Sequence, residues 1–247
     1  MNEFLFFVVI LLSNIIQGIT GFAGTILAMP FSLKLVGMDV AVPVLNLLGL
    51  LSGVYVFAGN RRHVDKKVLK HVVLVMGCAV LLGLFIRQLL SGSPGLLYIT
   101  LGVIVVLIAL HGFYTRLIKK STNPGEAVSK DTPFMTLLLL AAGVVHGMFV
   151  CGGPLLIGYM TRKLPEKSAF RATISTIWIF LNGIILITQI LSGAWTPSLV
   201  KTSCISLPFL FGGMFIGGRL YSKMSQDFFI LLTYILLLIA GASLFFK

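Results

Sequence analysis

The sequence predicts an all-α integral membrane protein made of two inverted repeats, each a glycine-broken re-entrant hairpin followed by three transmembrane helices. Three observations predict it. The 247-residue chain is 57% hydrophobic and only 11% charged, with a mean hydropathy of +1.05, whereas a soluble domain carries about 25% charge. Its charges cluster so tightly that eight charge-free stretches, 4–33, 40–60, 72–86, 88–115, 132–161, 172–200, 202–218 and 228–246, hold most of the chain. Fifteen of the 19 Lys and Arg fall in four loops that share one side only if two of those stretches enter and leave the membrane on the same face.

The two exceptional stretches are 4–33 and 132–161, each 30 residues long where a span needs about 20. Glycines break both in the middle. The first break reads Gly18-Ile19-Thr20-Gly21-Phe22-Ala23-Gly24, with Pro30 beyond it, and the second reads Gly147-Met148-Phe149-Val150-Cys151-Gly152-Gly153-Pro154. A single long tilted helix or two half-helices folded back would each fit these lengths. Lys and Arg collect in cytoplasmic loops, and that decides. With both segments re-entrant, the clusters Arg61–Lys70, Arg116–Lys130, Arg162–Arg171 and Arg219–Lys223 all lie inside, while simple crossings would leave eight basic residues outside.

The elements follow in order. Residues 1–118 form the first repeat, with hairpin 4–33 and helices 40–60, 68–90 and 95–116. A cytoplasmic linker covers 119–131, where Asn123-Pro124-Gly125 signals a turn. Residues 132–247 form the second repeat, with hairpin 132–161 and helices 170–191, 198–218 and 226–246. Both termini are expected outside. Duplication has its own support: an offset of 129 lays Gln17 on His146, Gly18 on Gly147 and Gly24 on Gly153. An offset of 130 lays Gly53 on Gly183, Gly83 on Gly213 and Phe85-Ile86 on Phe215-Ile216, although 26 glycines supply some matches by chance.

Such a composition excludes a cytosolic enzyme, a nucleic-acid reader and a receptor with an ectodomain, so the net charge of +12 is read as loop charge at the inner membrane surface. The start Met1-Asn2-Glu3-Phe4 lacks a basic n-region and is expected to be retained, and no lipidation signal is visible. Cys78, Cys151 and Cys204 all lie in apolar stretches with no paired spacing, so neither a disulfide framework nor a thiolate metal site is indicated. No cofactor is expected. There is no G-x-S-x-G and no H-E-x-x-H, which argues against a membrane-embedded enzyme.

Inverted repeats with interrupted segments at matching positions point to a secondary transporter that holds its substrate near the midplane. Backbone leaving a helix in hydrocarbon loses its hydrogen bonds, so a break survives only when buried in protein or lining a wet cavity. A half-helix N-terminus there offers free N–H groups and partial positive charge, which favours an anion. All seven acidic residues lie outside the eight stretches, which counts against a cation substrate and an Asp/Glu proton relay.

The candidate substrate-binding set gathers at the breaks: Asn14, Gln17, Thr20, Gly21, Gly24 and Thr25 in the first half, and His146, Cys151, Gly152, Gly153 and Pro154 in the second. The helices that follow add Asn46 and Ser52, then Thr173, Ser175, Thr176 and Asn182. Ser and Thr equally well bond their own helix backbone, whereas Asn and Gln cost more to place in lipid. His146 stands beside the second break, as a hydrogen-bond donor to an anion or a pH-sensitive group. Arg171 opens the helix after the second hairpin, where it can compensate substrate charge or snorkel to the interface. His63, His71 and His111 read as interfacial or packing residues, Arg87 as an outer-edge anchor, and Trp178 and Trp195 are too few to define a belt.

The run Gln17 to Gly24 with Pro30, and the run Gly147 to Pro154 followed by Phe170-Arg171-Ala172-Thr173, resemble the sulfite exporter TauE/SafE family over essentially the whole chain. The resemblance implies transport of sulfur-containing anions, such as sulfite, sulfonates or organosulfur acids, with the two breaks forming the site. Cys151 stands where the family tends to carry a fuller glycine run. The implied setting is the inner cytoplasmic membrane, multi-pass, with a small anionic substrate and the bilayer as partners, a homodimer allowed for and no nucleic acid. A permease or channel for another small organic or inorganic anion is the alternative. Substrate identity, direction and coupling ion stay open.

Overall fold

The computed structural model describes residues 2–90, 133–164 and 166–221, with scattered positions between 92 and 110 and between 235 and 242. The linker 119–131 and most of the expected helices 95–116 and 226–246, His111 included, lie outside the described residues. Among the described residues there is no strand. Within the described residues, eight α-helices run in chain order: α1 Asn2–Thr20, α2 Gly24–Val36, α3 Met38–Asn60, α4 Lys66–Leu89, α5 Pro133–Phe149, α6 Gly153–Lys163, α7 Lys167–Leu191 and α8 Pro197–Tyr221. A 3₁₀ turn over Arg61–His63 follows α3. Among the described residues, five helices are long and apolar enough to cross a membrane: α1, α3, α4, α7 and α8. The chain is therefore an all-α, multi-pass membrane protein.

Local chemistry explains the ends. Asp65 accepts from the Lys67 and Val68 amides at 2.9 Å each and so caps α4, and Glu166 caps α7 by accepting from Ser168 and Ala169 at 3.2 and 3.0 Å. The Ser168 hydroxyl donates to the same Glu166 carboxylate. Gly37, at φ +76°, terminates α2 and donates its N–H to Leu33 O at 3.1 Å. At 1.5 Å per residue, α2 with 13 residues and α6 with 11 reach only about 20 and 17 Å. Each is shorter than a hydrocarbon core of about 30 Å.

At each short helix the chain doubles back. A β-carbon on Gly24 would lie 2.7 Å from Gln17 Cβ and 2.9 Å from Ser13 O, so α2 starts against the body of α1. Gly152 sits in the same way against Ala142 and His146 of α5. The chain breaks where the glycine runs stand, but the arms are unequal: α1 has 19 residues and α5 has 17.

The hairpins are clasped crosswise. α1 packs along α8 and α5 along α4, while α3 and α7 cross at the centre, each also touching the clasping helix of the other half. Glycine makes the clasp possible, because both backbones touch. A β-carbon on Gly18 would lie 2.9 Å from Met214 O, and one on Gly217 would lie 2.9 Å from Gly18 Cα. Likewise one on Gly147 would lie 3.0 Å from Gly83 Cα and overlap Val80 O. Small-residue contacts are how helices approach closely where lipid supplies no hydrophobic drive. In these contacts Gly83 plays the part of Gly217 and not of Gly213, one helical turn from the expected register. Gly213 instead lies against Leu11 and Asn14, and Gly183 has no neighbour within 4 Å of its β-carbon position.

Candidate functional site

The two breaks are built on the same plan. In the first, Gly21 sits at φ +82° and donates its N–H to Gln17 O at 2.7 Å; in the second, Val150 sits at φ +58° and donates to His146 O at 2.7 Å. Gly21 and Val150 are matched by the same offset that lays Gln17 on His146. The left-handed region is free for glycine but costs a residue with a β-carbon roughly 1–2 kcal/mol. Val150 is β-branched and buried, so the second break is the strained one.

Each break is then tied by one side chain in two directions. Gln17 Oε1 accepts from the Gly24 amide at 2.7 Å, at the start of α2, while its Nε2 donates to Ser52 Oγ of α3 at 3.2 Å. His146 does the equivalent. Its Nδ1 accepts from the Gly152 amide at 3.5 Å, before α6, and its Nε2 donates to Asn182 Oδ1 of α7 at 2.9 Å. A ring with an N–H facing Nδ1 and a carbonyl oxygen facing Nε2 is the neutral Nε2–H tautomer. Ser52 and Asn182 are themselves matched by the offset that lays Gly53 on Gly183.

The remaining capping differs between halves. Thr20 Oγ1 accepts from the Phe22 and Ala23 amides at 3.3 and 3.2 Å and donates to Ile16 O at 2.8 Å. Its counterpart in the second break is Phe149, which has no hydroxyl to do so. Cys151 Sγ donates to Phe149 O at 3.0 Å instead.

Between the breaks lies a cavity lined by Gln17, Phe22, Thr25, Ile26, Gly49, His146, Val150, Cys151, Gly153, Trp178 and Asn182. None of these carries a carboxylate, an ammonium or a guanidinium. Its free volume is about 10 Å³, close to what a single water needs. The N-termini of α2 and α6 both open on it, and a β-carbon on Gly153 would lie 3.4 Å from Phe22 O and 3.8 Å from Trp178 Cζ2. Positive helix ends over a neutral polar lining suit a small anion.

Of the residues expected from sequence, Gln17, Thr25, His146, Cys151, Gly153 and Asn182 line the cavity. The others are not among its lining residues. Gly21, Gly24 and Gly152 form the breaks, Thr20 caps the first of them, and Pro154 is the second residue of α6. Asn46 donates to Asn182 O at 3.1 Å and to Gln189 Oε1 at 3.5 Å, fixing the α3–α7 crossing. Asn14 donates to Ile10 O of its own helix at 2.8 Å. Thr173 Oγ1 accepts from the Asp65 amide at 2.9 Å and so holds the loop before α4. Arg171 Nη2 donates to Gly18 O at 2.8 Å, where a cation suits the end of α1.

Phe22 and Val150, inside the break runs but not among the expected substrate-binding residues, also line the cavity, and so do Ile26, Gly49 and Trp178, which the sequence does not assign to it. Trp178 carries a usable signal, because it precedes Asn182 by four residues and therefore shares its helix face. Gly49 is there for space: a β-carbon would meet Asn182 Nδ2 at 2.8 Å. Among the described residues, no group of His, Cys, Asp or Glu could hold a metal ion.

Residues 5–244 match the model of the family described as Sulfite exporter TauE/SafE. No curated protein and no solved structure matches the chain.

Proposed function

The chain belongs to the sulfite exporter TauE/SafE family, a family of membrane transporters, and we propose that it moves small sulfur-containing anions such as sulfite, sulfonates or organosulfur acids across the inner, cytoplasmic membrane. The observation that carries the reading is the convergence of two half-helix N-termini, α2 and α6, on one uncharged polar cavity. An oxyanion there is stabilised by backbone N–H groups and helix ends. No buried countercharge has to be left behind when it departs.

An inverted duplication accounts for the matched parts. Gln17–Ser52 recurs as His146–Asn182, Gly21 as Val150, and the Gly18–Gly217 clasp as Gly147–Gly83. The assignment of sides draws support from the Asp65–Thr173 hydrogen bond, which brings the Arg61–Lys70 loop to the Arg162–Arg171 loop, two of the four basic clusters. Those clusters then face the cytoplasm. The repeats would rock against each other around the central α3–α7 crossing, exposing the cavity alternately to each side.

With room for about one water, the cavity is in a contracted state that must widen to admit a sulfur oxyanion. That favours a gated transporter over a standing channel. Outward movement of an anion from a negative interior gains roughly 2.3 kcal/mol per charge per 100 mV, so export needs no coupled ion. The test is efflux of radiolabelled sulfite from loaded proteoliposomes at imposed potentials, beside a panel of sulfonates and carboxylates and with and without a sodium gradient. Saturable, potential-dependent sulfur-anion flux is expected; preference for carboxylates, or linear flux, would overturn the reading.

A further inference from the structure

The polar groups of the cavity are nearly all committed to the protein itself. Gln17 and His146 each use both side-chain polar atoms, Asn182 Oδ1 receives His146, and Cys151 Sγ is turned to a backbone carbonyl. Trp178 differs. Its ring is 5% exposed and its centroid lies 5.0 Å from that of His146, yet its indole Nε1–H has no hydrogen-bond partner among the described residues. Buried donors in native structures are almost always satisfied, and an unmet one inside a membrane is more costly than in a wet interior.

The placement of the ring shows what lies beside the donor. Cζ2 and Nε1 are both bonded to Cε2, so they share one edge of the indole. Cζ2 is the Trp178 atom nearest the β-carbon position of Gly153, at 3.8 Å. That edge is therefore the part of the ring nearest the start of α6, where the helix end is positive.

Resting on the transport reading above, we propose that Trp178 is a substrate-contacting residue whose indole N–H donates to an oxygen of the bound sulfur oxyanion beside the start of α6. The anion is thus recognised by neutral N–H donors from a side chain and a helix end together. An indole is a donor only, so it selects an acceptor oxygen and does not bind a cation.

The chain has two tryptophans, so Trp195→Phe leaves Trp178 as the single reporter. Titration of that variant in nanodiscs with sulfite and with methanesulfonate should give a saturable change in emission. In proteoliposomes, Trp178→Phe should raise the KM for sulfite flux about ten- to a hundredfold, as for a lost hydrogen bond to a charged group, with Vmax little changed. Replacing Trp178 with β-(3-benzothienyl)alanine, which keeps the ring and exchanges N–H for sulfur, should do the same if the phenylalanine variant folds poorly. Saturable wild-type flux with KM unmoved by either replacement overturns the donor role and leaves transport standing. Saturable emission changes without any flux would do the reverse, and absence of both would sink the two together.

Discussion

Gly147→Ala against Gly183→Ala is the sharpest structural test, since both glycines lie inside helices of the second half and differ in what a methyl group would meet. At Gly147 the new carbon would overlap Val80 O and lie 3.0 Å from both Gly83 Cα and Leu84 N. All three are backbone atoms, so no rotamer change relieves the clash and α5 must move off α4. Overpacking of this kind costs about 1–3 kcal/mol. At Gly183 nothing lies within 4 Å, and alanine inside a helix gains about 0.5–1 kcal/mol over glycine. That gain applies to both glycines, since both lie inside helices, so the two variants should differ by the overpacking cost of roughly 1–3 kcal/mol, or several degrees in thermal midpoint. The midpoint is read in detergent from loss of the monodisperse peak, with Gly217→Ala expected to behave like Gly147→Ala. A Gly147→Ala protein as stable as Gly183→Ala would refute the crosswise clasp.

Three further outcomes follow from the site. Val150→Gly removes about 1–2 kcal/mol of left-handed strain and returns a similar amount through backbone entropy and lost packing, so its midpoint should stay near that of the wild type; Gly21→Ala, whose carbon would lie 3.2 Å from Ser175 Oγ and 3.3 Å from Arg171 Cγ at φ +82°, should lower it. Arg171→Ala frees Gly18 O and should cost about 1.5–3 kcal/mol of stability with little effect on KM for sulfite, whereas a residue compensating substrate charge would show the opposite split. Glu166 is held below the usual carboxylate range by the Ser168 hydroxyl first, then by the Ala169 amide. A depressed carboxyl stabilises above its unfolded pKa and that contribution is lost as pH falls through the folded value, so acid below about pH 4 should loosen the start of α7 in hydrogen exchange, and Glu166→Gln should remove that acid dependence.

Much of this is written in the residue pattern, for definite reasons. Helix interruption is legible because the glycine runs Gly18–Gly24 and Gly147–Gly153 stand in the middle of stretches too long for one span, whereas Gly212–Gly218, in the shorter stretch 202–218, leave α8 continuous. Gln17 and His146 are legible because long polar side chains in hydrocarbon need a partner, and they sit beside the breaks. The unequal arms are not legible, since nothing in the apolar composition of 4–33 says how far each arm runs. Arg171 is ambiguous because sequence gives its charge but not the Gly18 carbonyl that α1 leaves open. Trp178 escapes notice because an aromatic in a membrane helix is filler by default, and only its unmet N–H beside Gly153 distinguishes it. The register of α4 against α8 comes out wrong by one turn because Gly83 and Phe85-Ile86 fit Gly213 and Phe215-Ile216 by sequence, whereas backbone contact selects Gly217.

On the transport proposal, a sulfur oxyanion passes through the cavity between the two breaks. Gly153 faces that cavity with only ordinary contacts around its β-carbon position, 3.4 Å to Phe22 O and 3.8 Å to Trp178 Cζ2, so a β-carbon is accommodated there, while the rest of a leucine side chain exceeds the free volume of about 10 Å³ and blocks the cavity. The decisive measurement is radiolabelled sulfite flux in proteoliposomes holding equal amounts of wild-type and Gly153→Leu protein, both checked for monodispersity. Saturable flux in the wild type, abolished by leucine in a folded protein, is the predicted result. Equal flux in the two proteins would place the pathway elsewhere and contradict the account.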